Sequence, residues 1–376
     1  MMRIVDVNPY FYPFFGGIEH RMHLIAKELV ARGHDVTIVT GQLPGTAAEE
    51  VSEDGYRIVR LPSKYIKFYN PPYITSKGLL EKLNEIDADV VNFNYRWAPS
   101  YTKDMRKYQG KKVFTYHNMW GEGIGIQHTL SEINDNMFRK TLNTFDHIIA
   151  VSDYVRNDLI RRGIPSEEIT TANPCLENYP ELSENEGDYI LSLGRLVRTK
   201  GLDYLIEAMQ YVDSKLIVCG KGPDDKRLRK KIEKYGLSEK IEMKGWVSEE
   251  EKQRLMSECR MFVMPSLFES YGLAALEIMS YGRPVVCTDV NGLPDTVKDG
   301  GIYVKPKDAK GLANAINSLL LDKDGRETLG SNARRVAESQ NVKNTVDIIE
   351  SVYRSVIDGN NRSQHIGNKS IDEQSL

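Results

Sequence analysis

Residues 261–297 read MFVMPSLFESYGLAALEIMSYGRPVVCTDVNGLPDTV. Two short apolar runs, Met261–Met264 and Val285–Cys287, flank a segment with helical spacing at Leu273, Leu276 and Met279. Apolar runs of three or four residues bounded by turn residues suit strands buried on both faces. Strand, helix, strand in that order is the unit of a parallel sheet. Glu269 falls in the loop after the first strand, and Ser270-Tyr271-Gly272 opens the helical segment. Glu277 follows Glu269 after seven intervening residues, in the second turn. Both carboxylates can therefore reach one cleft, with helix N–H groups between them facing an anion.

The same alternation runs outward in both directions. Strands are expected near 3–8, 35–40, 56–61, 89–94, 112–116, 147–151 and 168–172, then near 188–193, 214–219, 240–244, 261–265, 285–288 and 301–304. Amphipathic stretches lie between many of them, as at Ile18, Met22, Ile25 and Leu29. The class is α/β, with parallel sheets covered on both sides. The aperiodic, Pro/Asn/Glu-rich run NPCLENYPELSENEGD at 173–188 divides the pattern. The expected organisation is two doubly wound, Rossmann-like domains at 1–172 and 188–341, joined by a linker at 173–187. A helix at 342–358 is expected to return to the first domain, and a polar tail at 359–376 is expected to be disordered.

Bulk properties narrow the classes. A chain of 376 residues suits two domains, and a net charge of −3 offers no general attraction for nucleic acid. Four well-separated cysteines, Cys175, Cys219, Cys259 and Cys287, form no C-x-x-C pair. That favours a reducing cytoplasm over a disulfide framework or a zinc cluster. The short start Met1–Val7 does not read as a signal peptide, and no apolar run approaches the ~18 residues of a membrane span. Residues 57–112 hold twelve Lys or Arg against five Asp or Glu, with Tyr65, Phe68, Tyr69 and Tyr73 interleaved. This local excess reads either as a solvated surface, as a site for an anionic acceptor, or as a peripheral docking surface for an anionic membrane.

Three glycine-containing loops follow strands. PYFYPFFGGIEHRM places Gly16-Gly17 directly before a helix, where backbone N–H groups can meet an anion, although the dinucleotide fingerprint G-x-G-x-x-G is missing. The pair is equally readable as a plain turn. YILSLGRLVRTKGLDYL sets Gly194, Arg195 and Lys200 at the carboxyl edge of a strand, where open α/β sheets bind ligands. An arginine fork and a lysine point charge suit a diphosphate, and a solvated basic loop is the competing reading. In LIVCGKGPDDKRL, Gly220 and Gly222 permit close approach to a base or ribose, while KRLRKKIEK reads as a solvated helix face.

Taken with Tyr116-His117, Val151-Ser152, Gly220-x-Gly222-Pro223 and Gly245-Trp246-Val247, the Glu269-x₇-Glu277 pattern resembles the retaining glycosyltransferases of family GT4 over nearly the whole chain. The resemblance implies the GT-B architecture, two Rossmann-like domains facing a cleft. It implies a nucleotide-sugar donor, a sugar or lipid-linked acceptor, no metal and no other cofactor. By resemblance, Arg195 and Lys200 hold the donor diphosphate, and Glu269 contacts the donor sugar. Gly16 and Gly17 close over the phosphates, Tyr271, Gly272 and Leu273 approach them through their backbone, and Glu277 grips the ribose. His117 matches the family's histidine near the sugar, although a hydrogen-bonded histidine at a strand end is the plainer reading. The catalytic group is then His117, Arg195, Lys200 and Glu269. Asn291-Gly292-Leu293-Pro294-Asp295 departs from the Gly-Gly pair followed by Glu that is usual there, which leaves open the fine shape of the sugar pocket and the identity of the sugar. Rival functions are a nucleotide-sugar epimerase on the same architecture and a catalytically silent sugar-nucleotide-binding subunit.

Overall fold

The computed structural model describes residues 1–14, 16–66, 73–183 and 185–359. The first half contains strands β1 (Arg3–Val7), β2 (Asp35–Gly41), β3 (Glu49–Val51), β4 (Arg57–Leu61), β5 (Ser63–Ile66), β6 (Tyr73–Ser76), β7 (Val90–Phe93), β8 (Lys112–Tyr116), β9 (His147–Ala150) and β10 (Ile169–Thr171). The second contains β11 (Tyr189–Leu193), β12 (Lys215–Cys219), β13 (Ile241–Gly245), β14 (Met261–Met264), β15 (Val285–Thr288) and β16 (Gly301–Val304). All thirteen expected strands are present. The additional ones are β3, an antiparallel edge on β4, and the hairpin of β5 with β6. Their residues alternate or are exposed throughout, so no buried apolar run marks them.

The first sheet runs β10-β9-β8-β7-β1-β2-β4-β3 and the second β13-β12-β11-β14-β15-β16. Every pairing in the second sheet is parallel, and only β3 breaks the rule in the first. The order reverses between β1 and β7 in one sheet and between β11 and β14 in the other. At such a reversal the connecting helices leave to opposite faces, and a crevice opens at the carboxyl ends of the strands.

Burial explains the helices. Met22, Ile25 and Leu29 of the helix Gly17–Ala31 are almost wholly buried, with Ile18 partly buried beside them. The last helix, Val342–Ile357, packs Val346, Ile349, Tyr353 and Val356 into that same cluster. Arg32 ties the two helices by reaching Asp347 at 2.6 Å and Glu350 at 3.1 Å. The chain thus crosses back to the first sheet after the second is complete. Segment 173–187 is fastened where it is described: Leu176 bridges Asn341, and Cys175 is buried. In the helix Asp225–Lys234 only Leu228 and Ile232 are buried, which leaves its basic face to solvent. The polar tail from 360 onward lies outside the described residues.

Candidate active site

In the second half the carboxyl ends of β11, β12 and β14 enclose a crevice lined by Gly194, Arg195, Lys200, Pro265 and Ser266. Arg195 is exposed on its rim and has no carboxylate partner among the described residues. Lys200 instead pairs with Glu269, so one expected phosphate ligand and one expected sugar ligand hold each other in the cleft. Glu277 is ion-paired with Lys252 at 3.0 Å. Burial acts to lower the Lys252 ammonium, but Glu277 and Glu249 outweigh it and hold the pKa above the ordinary lysine range. Lys252 was not expected: it lies on the helix Glu249–Glu258, remote in sequence from Glu277, and no local spacing points to it.

The glycines meet backbone more than open space. A Cβ on Gly220 would lie 1.8 Å from the Gly194 carbonyl oxygen, and one on Gly222 would lie 2.2 Å from that of Leu196. These glycines let the 194–196 and 220–222 loops cross, joined by Leu196 N donating to the Lys221 carbonyl at 3.0 Å. That loop crossing is one close approach the glycines permit. Gly272 has φ +105°, a conformation that strains any residue with a side chain, and the helix begins one residue later, at Leu273.

The two halves meet beside these loops. A Cβ on Gly17 would lie 2.8 Å from Leu273 Cδ1, so the Gly16-Gly17 turn faces the Tyr271–Leu273 turn. Ser152 accepts from Val155 N as the cap of the helix Asp153–Arg161 and donates to the Ser270 carbonyl at 2.9 Å. Tyr154 N donates to Asp295 at 2.8 Å, and Asn291 Nδ2 donates to the Tyr154 hydroxyl at 3.0 Å. The departure at 291–295 therefore forms a seam between the halves. Asn291 adopts φ +50°, which asparagine tolerates better than most residues.

His117 follows β8 and bonds through Nε2 to Asn94 Oδ1 at 2.8 Å. Burial first, then Arg21 and Arg96, push its pKa well below the ordinary imidazole range, so the ring is neutral. Arg96 and Asp135 form a buried ion pair that also accepts Gly121 N at 2.8 Å, which pins the loop after His117. In the first turn of the helix Gly17–Ala31, Glu19 accepts from Asn8 Nδ2 at 3.0 Å, and burial raises its pKa to about 7. Its Oε2 would lie 2.3 Å from a Cβ on Gly16, so Gly16 makes room for it. Glu19 was not singled out in the sequence, although it stands two residues after the glycine pair.

Two parallel-sheet halves, each with polar residues at its reversal point and meeting through glycine turns, have the GT-B architecture. The family description "Glycosyltransferase Family 4" matches residues 15–176, and "Glycosyl transferases group 1" matches 178–336. The chain belongs to this family of glycosyltransferases. An uncharacterised glycosyltransferase of Methanocaldococcus jannaschii is 27% identical, over 95% of this chain and 99% of the relative. The phosphatidyl-myo-inositol mannosyltransferase of Mycobacterium leprae is 28% identical, over 85% of this chain and 87% of its own. The Anabaena protein HepE, solved in complex with UDP-glucose, superposes with a TM-score of 0.77 at 20% identity, covering 94% of this chain and all of that one.

Proposed function

We propose that the protein transfers a hexose from a UDP- or GDP-linked sugar to a hydroxyl acceptor with retention of configuration. The observation that carries this reading is the arrangement of Arg195 and the Lys200–Glu269 pair at the reversal point of the second sheet. A donor diphosphate would engage the exposed Arg195 fork and draw Lys200 from Glu269, freeing that carboxylate for sugar hydroxyls. Glu277 would hold the ribose, with Lys252 positioning it through their 3.0 Å ion pair. As the anomeric C–O bond breaks, negative charge grows on the diphosphate, and the two cations stabilise it. The acceptor hydroxyl then bonds to the anomeric carbon on the leaving-group side, and its proton passes to a diphosphate oxygen. We take this chemistry to need no metal. Turnover unchanged by a chelator supports that, and loss restored by a divalent cation overturns it.

The decisive experiment incubates the protein with UDP- and GDP-sugars and candidate acceptors, and reads the anomeric configuration of the product by NMR. An inverted product overturns retention. An isomerised sugar from donor alone points to an epimerase, and nucleotide binding without transfer points to a silent subunit.

For the acceptor we propose a lipid-linked or other anionic precursor, met at an anionic bilayer surface. The relative from M. leprae is named for a phosphatidylinositol acceptor. The basic segment 57–112 supports this less directly than its composition suggests. Arg60, Arg96 and Lys112 are buried in ion pairs or on carbonyls, and Lys67, Phe68 and Tyr69 lie outside the described residues. Better support comes from the helix Ile126–Leu142, which exposes Ile126, Leu130, Ile133 and Met137 along one face. Arg139 and Lys140 follow in its last turn, and Arg106 reaches it from the neighbouring helix Pro99–Lys107. Of the two acidic residues described from 124 to 140, Asp135 is buried against Arg96, and Glu132 is part-exposed and 3.8 Å from His128. An apolar stripe with a basic end is the pattern of a helix lying in a membrane interface.

A further inference from the structure

Three polar side chains, two of them buried and the third, His117, part-buried, line the reversal point of the first sheet, on or just after three adjacent strands. Asp6 is on β1, Asn94 directly follows β7, and His117 directly follows β8. Asp6 Oδ1 accepts from Asn92 Nδ2 at 2.9 Å and from Asn94 Nδ2. Asn92 in turn accepts from the Thr115 hydroxyl at 2.8 Å. Asp6, Asn92, Asn94 and Thr115 are all at most 4% exposed, so water does not complete their bonding. Burying a carboxylate and two amides costs free energy unless every group is matched, and here the match has a direction.

Burial raises the Asp6 pKa to about 6 against the hydrogen bonds from Asn94 and Asn92, so at neutral pH the carboxylate is ionised and only accepts, and the amide nitrogen of Asn94 must face it. Its oxygen must then face His117. The imidazole Nε2 consequently has to donate, and a neutral ring has one proton. Nδ1 is left as a bare acceptor, and no protein group among the described residues hydrogen-bonds it. Burial and the charges of Arg21 and Arg96 keep the ring from taking a second proton.

We propose that Asp6 and Asn94 are positioning residues that lock His117 in the Nε2–H tautomer, so that Nδ1 accepts a hydrogen bond from a hydroxyl of the transferred sugar. The role in transfer rests on the glycosyltransferase reading above, whereas the tautomer is a property of the ligand-free protein and can be read without activity. A fixed acceptor at this edge would orient the sugar, and a tautomer exchange would replace acceptance by repulsion between two hydrogens.

Long-range ¹H–¹⁵N NMR of the ring nitrogens tests both parts, with the His117 signals identified by their loss in His117→Gln. At neutral pH the full-length protein should show a protonated Nε2 and an unprotonated Nδ1. Asn94→Ala should give a mixture of tautomers. A protonated Nδ1 or a charged ring in the wild type overturns the lock. The second part uses whichever of UDP-glucose and GDP-mannose raises the melting temperature more. That sugar nucleotide should shift the Nδ1 signal toward the hydrogen-bonded range, and the bare nucleoside diphosphate should not. Equal shifts with both, or a shift with neither, overturn the sugar contact. In turnover, Asn94→Ala should lower kcat at least about tenfold with nucleoside-diphosphate affinity unchanged, because the nucleotide lies on the other half. Unchanged kcat with an altered tautomer overturns the positioning role while leaving the assigned reaction intact.

Discussion

Arg195 and Lys200 stand five residues apart on one loop, yet one is exposed without a carboxylate and the other is held by Glu269. If both grip the leaving diphosphate, alanine at either should reduce kcat by about 10²–10³ without unfolding the chain. Steady-state rates with melting curves decide this; near-normal turnover in both variants removes the loop from the mechanism. Glu277→Gln keeps one acceptor oxygen but loses charge and the Lys252 pair. It should weaken nucleoside-diphosphate binding in calorimetry, and unchanged affinity would reduce Glu277 to a structural partner of Lys252. Glu19 carries a pH signature. Its folded pKa of about 7 exceeds the ordinary 4.5, so the folded state prefers the protonated acid. Its contribution to stability is present below about pH 4.5 and is lost as pH rises through 7, on the order of 3 kcal/mol. Glu19→Gln should flatten that part of the dependence in denaturant titrations at pH 5 and pH 8. Parallel curves for the two proteins would contradict the buried acid.

At the scale of elements, the strands were readable because apolar runs between turn residues admit few other structures. The Ile126–Leu142 helix shows where pattern reading stops. Its apolar positions would suit a core seam, and only the packing shows that Phe138 and Leu142 face inward while Leu130, Ile133 and Met137 face out. Replacing Leu130 and Ile133 by Gln should abolish sedimentation with vesicles of phosphatidylglycerol and phosphatidylcholine. Lys64→Gln with Lys77→Gln should have the smaller effect. The reverse ranking would return the docking surface to the basic segment. Each cation near the surface adds roughly 1 kcal/mol, so binding should weaken with salt.

For the whole molecule, the seam of Ser152, Tyr154, Asn291 and Asp295 joins halves that otherwise fold on separate sheets. Asn291→Ala with Asp295→Ala should widen the ligand-free protein in small-angle scattering. No change in radius of gyration would mean the seam follows closure and does not hold it. A nucleoside diphosphate at about 100 times its Kd should add about 2.7 kcal/mol to stability and raise the melting temperature. Flat melting curves with UDP, GDP and ADP together would remove the donor site.

Chain order alone was enough for the α/β class, for two parallel sheets and for the loops that carry Gly16, Arg195, Lys200, Glu269 and Glu277, because alternation and turn residues are local properties. It also placed His117 at a strand end. What it could not settle was pairing. Lys200 with Glu269, Lys252 with Glu277, Asp6 with Asn94, and Asn94 with His117 are contacts between residues 23 to 88 positions apart, made when elements far apart in sequence become neighbours around a sheet. Periodicity carries no record of such distances. The same holds for Gly220 and Gly222: sequence shows that the backbone there can come close to a neighbour, and only the packed loops show that the carbonyls of Gly194 and Leu196 are such neighbours.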